Sequence, residues 1–189
     1  MSQLSQTQFL TRYLKPLAAL AVVLAVALPG VTHAQAMTTP DVPATLKVPD
    51  GQVLLFRAFA VGTQNYECQT GASGTATWAF RQPKAVLVSD DGEQLGIHGR
   101  GPFWAAYDGS RVVGSAPVSA PGRDPAHDVP LLLLRGTPGE TEGRFAGVSY
   151  IQRLDTRGGA APAGPCDPDQ QSALSVPYLA VYYFYGPPS

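Results

Sequence analysis

Lysine is nearly missing from this 189-residue chain, which has it only at Lys15, Lys47 and Lys84. Thirteen Lys and Arg stand against fourteen Asp and Glu, a formal charge of −1. No basic stripe of the kind that binds nucleic acid is present. Cysteine is limited to Cys68 and Cys166, and without a C-x-x-C pair the two do not read as thiolate metal ligands. Beyond residue 36 the only histidines are His98 and His127, with no H-x-H or H-E-x-x-H spacing, so no metal is expected. A serine-nucleophile elbow is also missing, because Gly147-Val148-Ser149-Tyr150-Ile151 lacks the final glycine. Gly96-Ile97-His98-Gly99-Arg100-Gly101 has the wrong glycine order for a dinucleotide fingerprint and no helix after it. Neither a dinucleotide nor any other cofactor is expected.

The chain opens with a leader pattern. Arg12 and Lys15 precede an apolar run from Leu17 to Leu28, which Pro29 and Gly30 break. Small-residue cleavage patterns follow at Thr32-His33-Ala34 and Ala34-Gln35-Ala36. A basic start, a short apolar core and such sites describe a secretory signal peptide. About a dozen apolar residues are too few for a spanning helix, which needs roughly 20. The expected organisation is a signal peptide over 1–36, cut after Ala34 or Ala36, a flexible entry segment over 37–47, and one β-rich domain over 48–189. An exported protein of the periplasm or the extracellular medium follows, with no membrane span after cleavage. Two cysteines in an exported chain read as one disulfide. Closing a loop of about a hundred residues stabilises by roughly 4–5 kcal/mol in the chain-entropy model.

The rest of the chain shows no helical periodicity. It is a series of short apolar or alternating runs separated by glycine and proline. Val53–Ala60 and Gln64–Cys68 read as two strands; Thr75–Phe80 and Ala85–Val88 read as two more. Asp50-Gly51, Asp91-Gly92 and Asp108-Gly109 are turn signals, since Asp-Gly suits the positive φ of tight hairpins. Ser115–Pro130 reads as a long surface loop, Val129–Leu134 and Phe145–Asp155 as strands, and Arg157–Pro168 as a loop. Tyr178–Tyr185 is apolar on both faces, as a buried strand is. These features predict an all-β, antiparallel sandwich or barrel.

The chemistry concentrates in the stretch Gly96–Ser110. His98, Arg100, Trp104, Tyr107 and Asp108 are the candidate ligand-binding residues. Trp and Tyr faces suit stacking on sugar rings or small apolar molecules, and Arg100 suits a carboxylate or phosphate. The expected partner is a carbohydrate or small organic molecule. A hydrolase with a loop pocket around His98 and Asp108 is the alternative; Ser110 would complete a triad with them but reads first as a turn residue bonding its own backbone. A structural envelope protein in which this stretch only packs is the other. Asp90, Asp91, Glu93, Glu140 and Glu142 sit in apparent turns, where acids serve solubility.

Several fragments form a pattern in order and spacing. They include Gln64-x-Tyr66-x-Cys68, Trp78-x-Phe80, Gly96-x-His98-x-x-Gly101-Pro102-x-Trp104 and Asp108-Gly109-Ser110. Later come Tyr150-Ile151-Gln152-Arg153 and Val176-Pro177-Tyr178-x-Ala180-x-Tyr182-x-Phe184-Tyr185. In this the chain resembles the exported bacterial and fungal family catalogued as domain of unknown function 3455, from about Val48 to Tyr185. The resemblance implies no agreed activity. Some fungal members carry a malate dehydrogenase label, which the missing dinucleotide motif disfavours.

The leader yields a direct test. Intact-mass measurement on secreted protein should give a chain beginning at Gln35 or Met37, and a chain retaining the apolar run would refute the signal reading.

Overall fold

In the computed structural model residues 40–188 are described. The expected signal segment 1–36, its cleavage sites and the start of the entry segment lie outside them. Eight strands follow in order: β1 (Val53–Thr70), β2 (Ala76–Val88), β3 (Gln94–Gly99), β4 (Phe103–Ala106), β5 (Arg111–Ala120), β6 (Leu131–Pro138), β7 (Tyr150–Gly158) and β8 (Ala173–Gly186). Each pairs antiparallel with the next, and β8 returns to β1, so the meander is a closed barrel with no free sheet edge. The all-β expectation holds, and the barrel is the form taken.

Two pairs of expected short strands are in fact single long ones. β1 runs straight through Gly62 and β2 through Pro83. The two breakers lie close together on neighbouring strands, Gly62 opposite Ala85 and Gln64 opposite Pro83. Gly62 is there for closeness: a Cβ on it would sit 2.1 Å from the Lys84 carbonyl oxygen. Asp91-Gly92 joins β2 to β3 and Asp108-Gly109 joins β4 to β5, as the turn chemistry predicts. The long loop expected from Ser115 begins only after Ala120, because β5 absorbs Ala116 and Pro117 in a bulge. The strand expected from Phe145 begins at Tyr150 instead. Residues 143–148 form tight turns, with the Ala146 amide donating to Gly143 and the Val148 amide to Phe145.

In a closed meander successive turns alternate between the two ends. One end carries the β2–β3, β4–β5 and β6–β7 connections and is filled. Phe145 enters there and meets Phe184 at 5.1 Å between centroids, while Phe56 stacks on Phe184 at 4.6 Å. Leu87, Val112, Val148 and Ile151 are fully buried around them. The other end carries the β1–β2, β3–β4, β5–β6 and β7–β8 connections.

β8 is apolar on both faces for a reason outside the barrel. Ala180, Tyr182 and Phe184 belong to the inner core, whereas Val181, Tyr183 and Tyr185 form a second cluster with Leu154 and Leu46. Leu46 ends a 3₁₀ turn (Ala44–Leu46) and is completely buried. Its carbonyl accepts a 2.7 Å bond from Gln152 Nε2, and Gln152 Oε1 accepts one from the Tyr185 hydroxyl at 2.8 Å. The part of the entry segment that is described, residues 40–47, is therefore not loose. It is a strap over the outer wall of β7 and β8, anchored by burial of Leu46 and these bonds.

Cys68 and Cys166 form the expected disulfide, with Cα atoms 5.9 Å apart and a sequence separation of 98. It ties β1 to the β7–β8 loop at the open end. That loop is further fixed by the Tyr66 hydroxyl, which donates to the Gly159 carbonyl at 2.6 Å, and by the Cys166 amide bonding to Ala76. Replacing both cysteines by serine is expected to lower unfolding stability by about 4–5 kcal/mol, read as an earlier urea midpoint. An unchanged midpoint would show that the link adds nothing to a loop already fixed by its other bonds.

Candidate functional site

Inward-facing residues of β1 to β8 leave the open half of the barrel unfilled. The cavity there is about 610 Å³ and opens between the turns. Its wall is mainly apolar, with Pro83, Val129, Leu132 and Leu134 among the lining residues. Phe80, exposed at 52%, and Arg81, Arg100 and Pro102 stand at the rim. An eight-stranded barrel is wide enough to hold one small ligand when side chains do not fill it.

The floor is an aromatic box. Alternation along paired strands puts His98 opposite Trp104 in the β3–β4 ladder. The His98 ring stacks on the Trp104 ring at 4.5 Å and 12°, and Tyr182 meets both edge-on at 5.1 and 5.2 Å. Trp104 is 1% exposed. Its face is thus covered by His98, so it is not available to stack on a sugar. Gly114 makes room for the indole, since a Cβ there would lie 2.9 Å from Cζ3.

His98 Nδ1 lies 2.8 Å from the Phe103 carbonyl oxygen. A carbonyl only accepts, so Nδ1 carries the proton and Nε2 is left as the acceptor. Burial pushes the His98 pKa down to about 3 against the help of that carbonyl, and the Arg153 charge pushes the same way. The ring is neutral and is not a general acid at neutral pH.

Above the box sits Arg153, which the sequence reading did not single out. It lies on the inner face of β7, opposite Tyr182 and Leu132. Its Nε and Nη2 both donate to the Pro130 carbonyl, at 3.1 and 2.9 Å. Among the described residues no carboxylate lies within 4 Å of its guanidinium. Gln64 is the other missed residue, on the inner face of β1 and 1% exposed. The sequence did hold a signal for each. Arg153 is two places from the buried Ile151 and Gln64 two from Tyr66, so each shares the inward face.

Two polar atoms in this wall have no partner: Gln64 Nε2 and the Trp104 indole Nε1. The Tyr178 hydroxyl, beside Gln64 and Tyr182, is a third buried one. Desolvation raises the pKa of Tyr178 and of Tyr182, so both remain neutral phenols. Leaving a buried donor unpaired costs about 1–3 kcal/mol.

Of the five residues taken from the sequence, His98, Arg100 and Trp104 line this cavity. Tyr107 and Asp108 do not. β4 carries the chain away from the mouth as far as Ala106, about 7 Å beyond Trp104 at roughly 3.3 Å per residue, and Asp108 sits in the turn after it. At the filled end Asp108 Oδ1 accepts from the Ser110 amide and hydroxyl, at 2.8 and 2.6 Å, and Oδ2 from the Arg144 amide at 2.8 Å. These bonds hold its carboxyl below the usual range, the Ser110 hydroxyl foremost. Ser110 Oγ accepts in turn from the Phe145 amide at 3.1 Å. A Cβ on Gly143, whose φ is +139°, would lie 2.7 Å from that carboxylate. Asp108 and Ser110 thus fasten the turn that inserts Phe145, and no bond joins them to His98. Tyr107 is exposed on the same turn. Among the described residues no cluster of three or more His, Cys, Asp or Glu is placed to hold a metal ion.

Two tests follow. The unfolded state takes up a proton on His98 below about pH 6.5, whereas the folded state resists until about pH 3. The neutral ring's contribution is complete above pH 6.5 and is lost as pH falls from there towards 3, by up to about 1.4 kcal/mol per pH unit. His98→Gln should flatten the pH 7 to pH 5 difference in unfolding free energy; equal slopes for both proteins would refute the assignment. Asp108→Ala should lower the melting temperature by a few degrees, the effect of about 1 kcal/mol in a domain of this size.

No curated protein and no solved structure matches the chain. A family model described as a protein of unknown function (DUF3455) matches residues 49–186, from just before β1 to the last residue of β8. Because that match takes in all eight strands, the chain belongs to this family.

Proposed function

We propose that the protein binds a small, largely apolar molecule in the open half of its barrel. The reading is carried by one observation: a cavity of about 610 Å³ with a mainly apolar lining that also includes a few polar side chains, Gln64, His98 and Arg153 among them. Ligand pockets of a few hundred Å³ share this make-up, an apolar lining with a few fixed polar groups. The filled end supplies a rigid base, and the disulfide fixes one of the loops at the mouth. Nothing in the arrangement calls for a reaction. His98 has its Nδ1 proton on Phe103 and its neighbour is an indole, not a nucleophile.

The neutral fluorophore N-phenyl-1-naphthylamine tests this. The oxidised mature protein should enhance its emission saturably with one site per chain. Leu132→Trp, which places an indole in the wall, should weaken that binding at least about tenfold, an effect of 1.4 kcal/mol, while the far-ultraviolet spectrum stays that of a barrel. Absence of saturable binding to the wild-type protein, or equal binding by the blocked variant, would end the proposal.

A further inference from the structure

The charges in the cavity wall are all of one sign. Arg81, Arg100 and Arg153 line it, and no Asp or Glu does. The two outer arginines differ from the inner one. Arg81 is paired with Glu67 at 2.5 Å and Arg100 is exposed at the rim, so solvent and a partner already serve them. Arg153 is 8% exposed, and its guanidinium donates to the Pro130 carbonyl and lies against the Tyr182 hydroxyl, with no carboxylate within 4 Å among the described residues. A cation held out of water without a counter-charge is costly, and a buried pair broken on one side costs more than either exposed state. His98 Nε2 is a neutral acceptor at this depth, and two other groups are unpaired donors. Gln64 Nε2 and Trp104 Nε1 lack acceptors, and the Tyr182 hydroxyl lies beside the guanidinium. What the wall lacks is an anionic acceptor.

We infer that the ligand is an organic carboxylate, its charged head seated against Arg153 and its apolar body filling the cavity towards Leu132 and Phe80. This deepens the binding proposal and rests on it. A carboxylate supplies two acceptor oxygens to a planar guanidinium fork and leaves lone pairs for a neighbouring N–H. A sugar, with as many donors as acceptors, would leave this donor-rich wall unsatisfied. His98, neutral, adds no second positive charge, and its Nε2 accepts from a hydroxyl or N–H on the ligand body.

Displacement of N-phenyl-1-naphthylamine at pH 7.5 reads this out. The acids are decanoate and 2-naphthoate, each compared with a neutral counterpart, 1-decanol and methyl 2-naphthoate. At least one acid should displace the fluorophore at about 10- to 100-fold lower concentration than its neutral counterpart, the size of a charge-assisted hydrogen bond in a desolvated site. Preference for decanoate identifies an alkyl body and preference for naphthoate an aromatic one. Arg153→Met, which keeps the length of the side chain, should erase the difference while still binding the fluorophore, and Arg153→Lys should restore part of it. If the neutral compounds match both acids on the wild-type protein, the carboxylate inference is overturned and the cavity reading stands. If the fluorophore itself does not bind, both fail. Should Arg153→Met not fold, the wild-type comparison of acid against neutral decides alone.

Discussion

A β-sheet closed into a barrel of eight strands has a fixed interior, and what fills it decides what the protein is. Here the fill is uneven. Phe56, Phe145, Phe184 and the aliphatic residues around them occupy one half. The stacked His98 and Trp104 with Tyr182 form a partition, and the other half is left to a cavity. Everything of chemical interest follows from that partition. It buries His98 deeply enough to keep the ring neutral, and it holds an indole N–H and a guanidinium in low dielectric, where each unpaired group weighs most.

The filled end is secured by polar groups that look catalytic in sequence. Asp108 and Ser110 sit two places apart in a glycine-flanked turn and spend their hydrogen bonds on the turn that delivers Phe145. A carboxylate accepting from three donors is well satisfied at a surface, and the result is packing below it, with no reagent made. The outer wall is secured differently, by the strap over residues 40–47. It hides the second apolar face of β8, which would otherwise be an exposed patch of Val181, Tyr183 and Tyr185.

Much of the fold was legible because turn chemistry is local. Asp91-Gly92 and Asp108-Gly109 fall where hairpins need them, and the two cysteines could only pair with each other. Strand limits were less legible at Gly62 and Pro83, which read as breaks from sequence alone. They are accommodated side by side in the ladder, a relation that depends on register and cannot be seen along one strand. The site was half visible. His98, Arg100 and Trp104 lie on one hairpin and reach the cavity together. Tyr107 and Asp108 follow within four residues of Trp104, but an extended chain separates such neighbours quickly. Arg153 and Gln64 come from strands distant in sequence, and only the inward parity of β7 and β1 marks them.

The seam of the barrel joins its most distant parts. Val53 faces Gly186 and Ala60 faces Ala180 across the β1–β8 ladder. Pairings this remote in sequence form late, because the intervening chain must be ordered or closed as a loop first. Until β8 returns, β1 and β7 are the free edges of an open meander, and the interior is not closed. The consequence falls on the cavity. The enclosed interior, and with it the cavity, comes into being only when the last strand has joined the first.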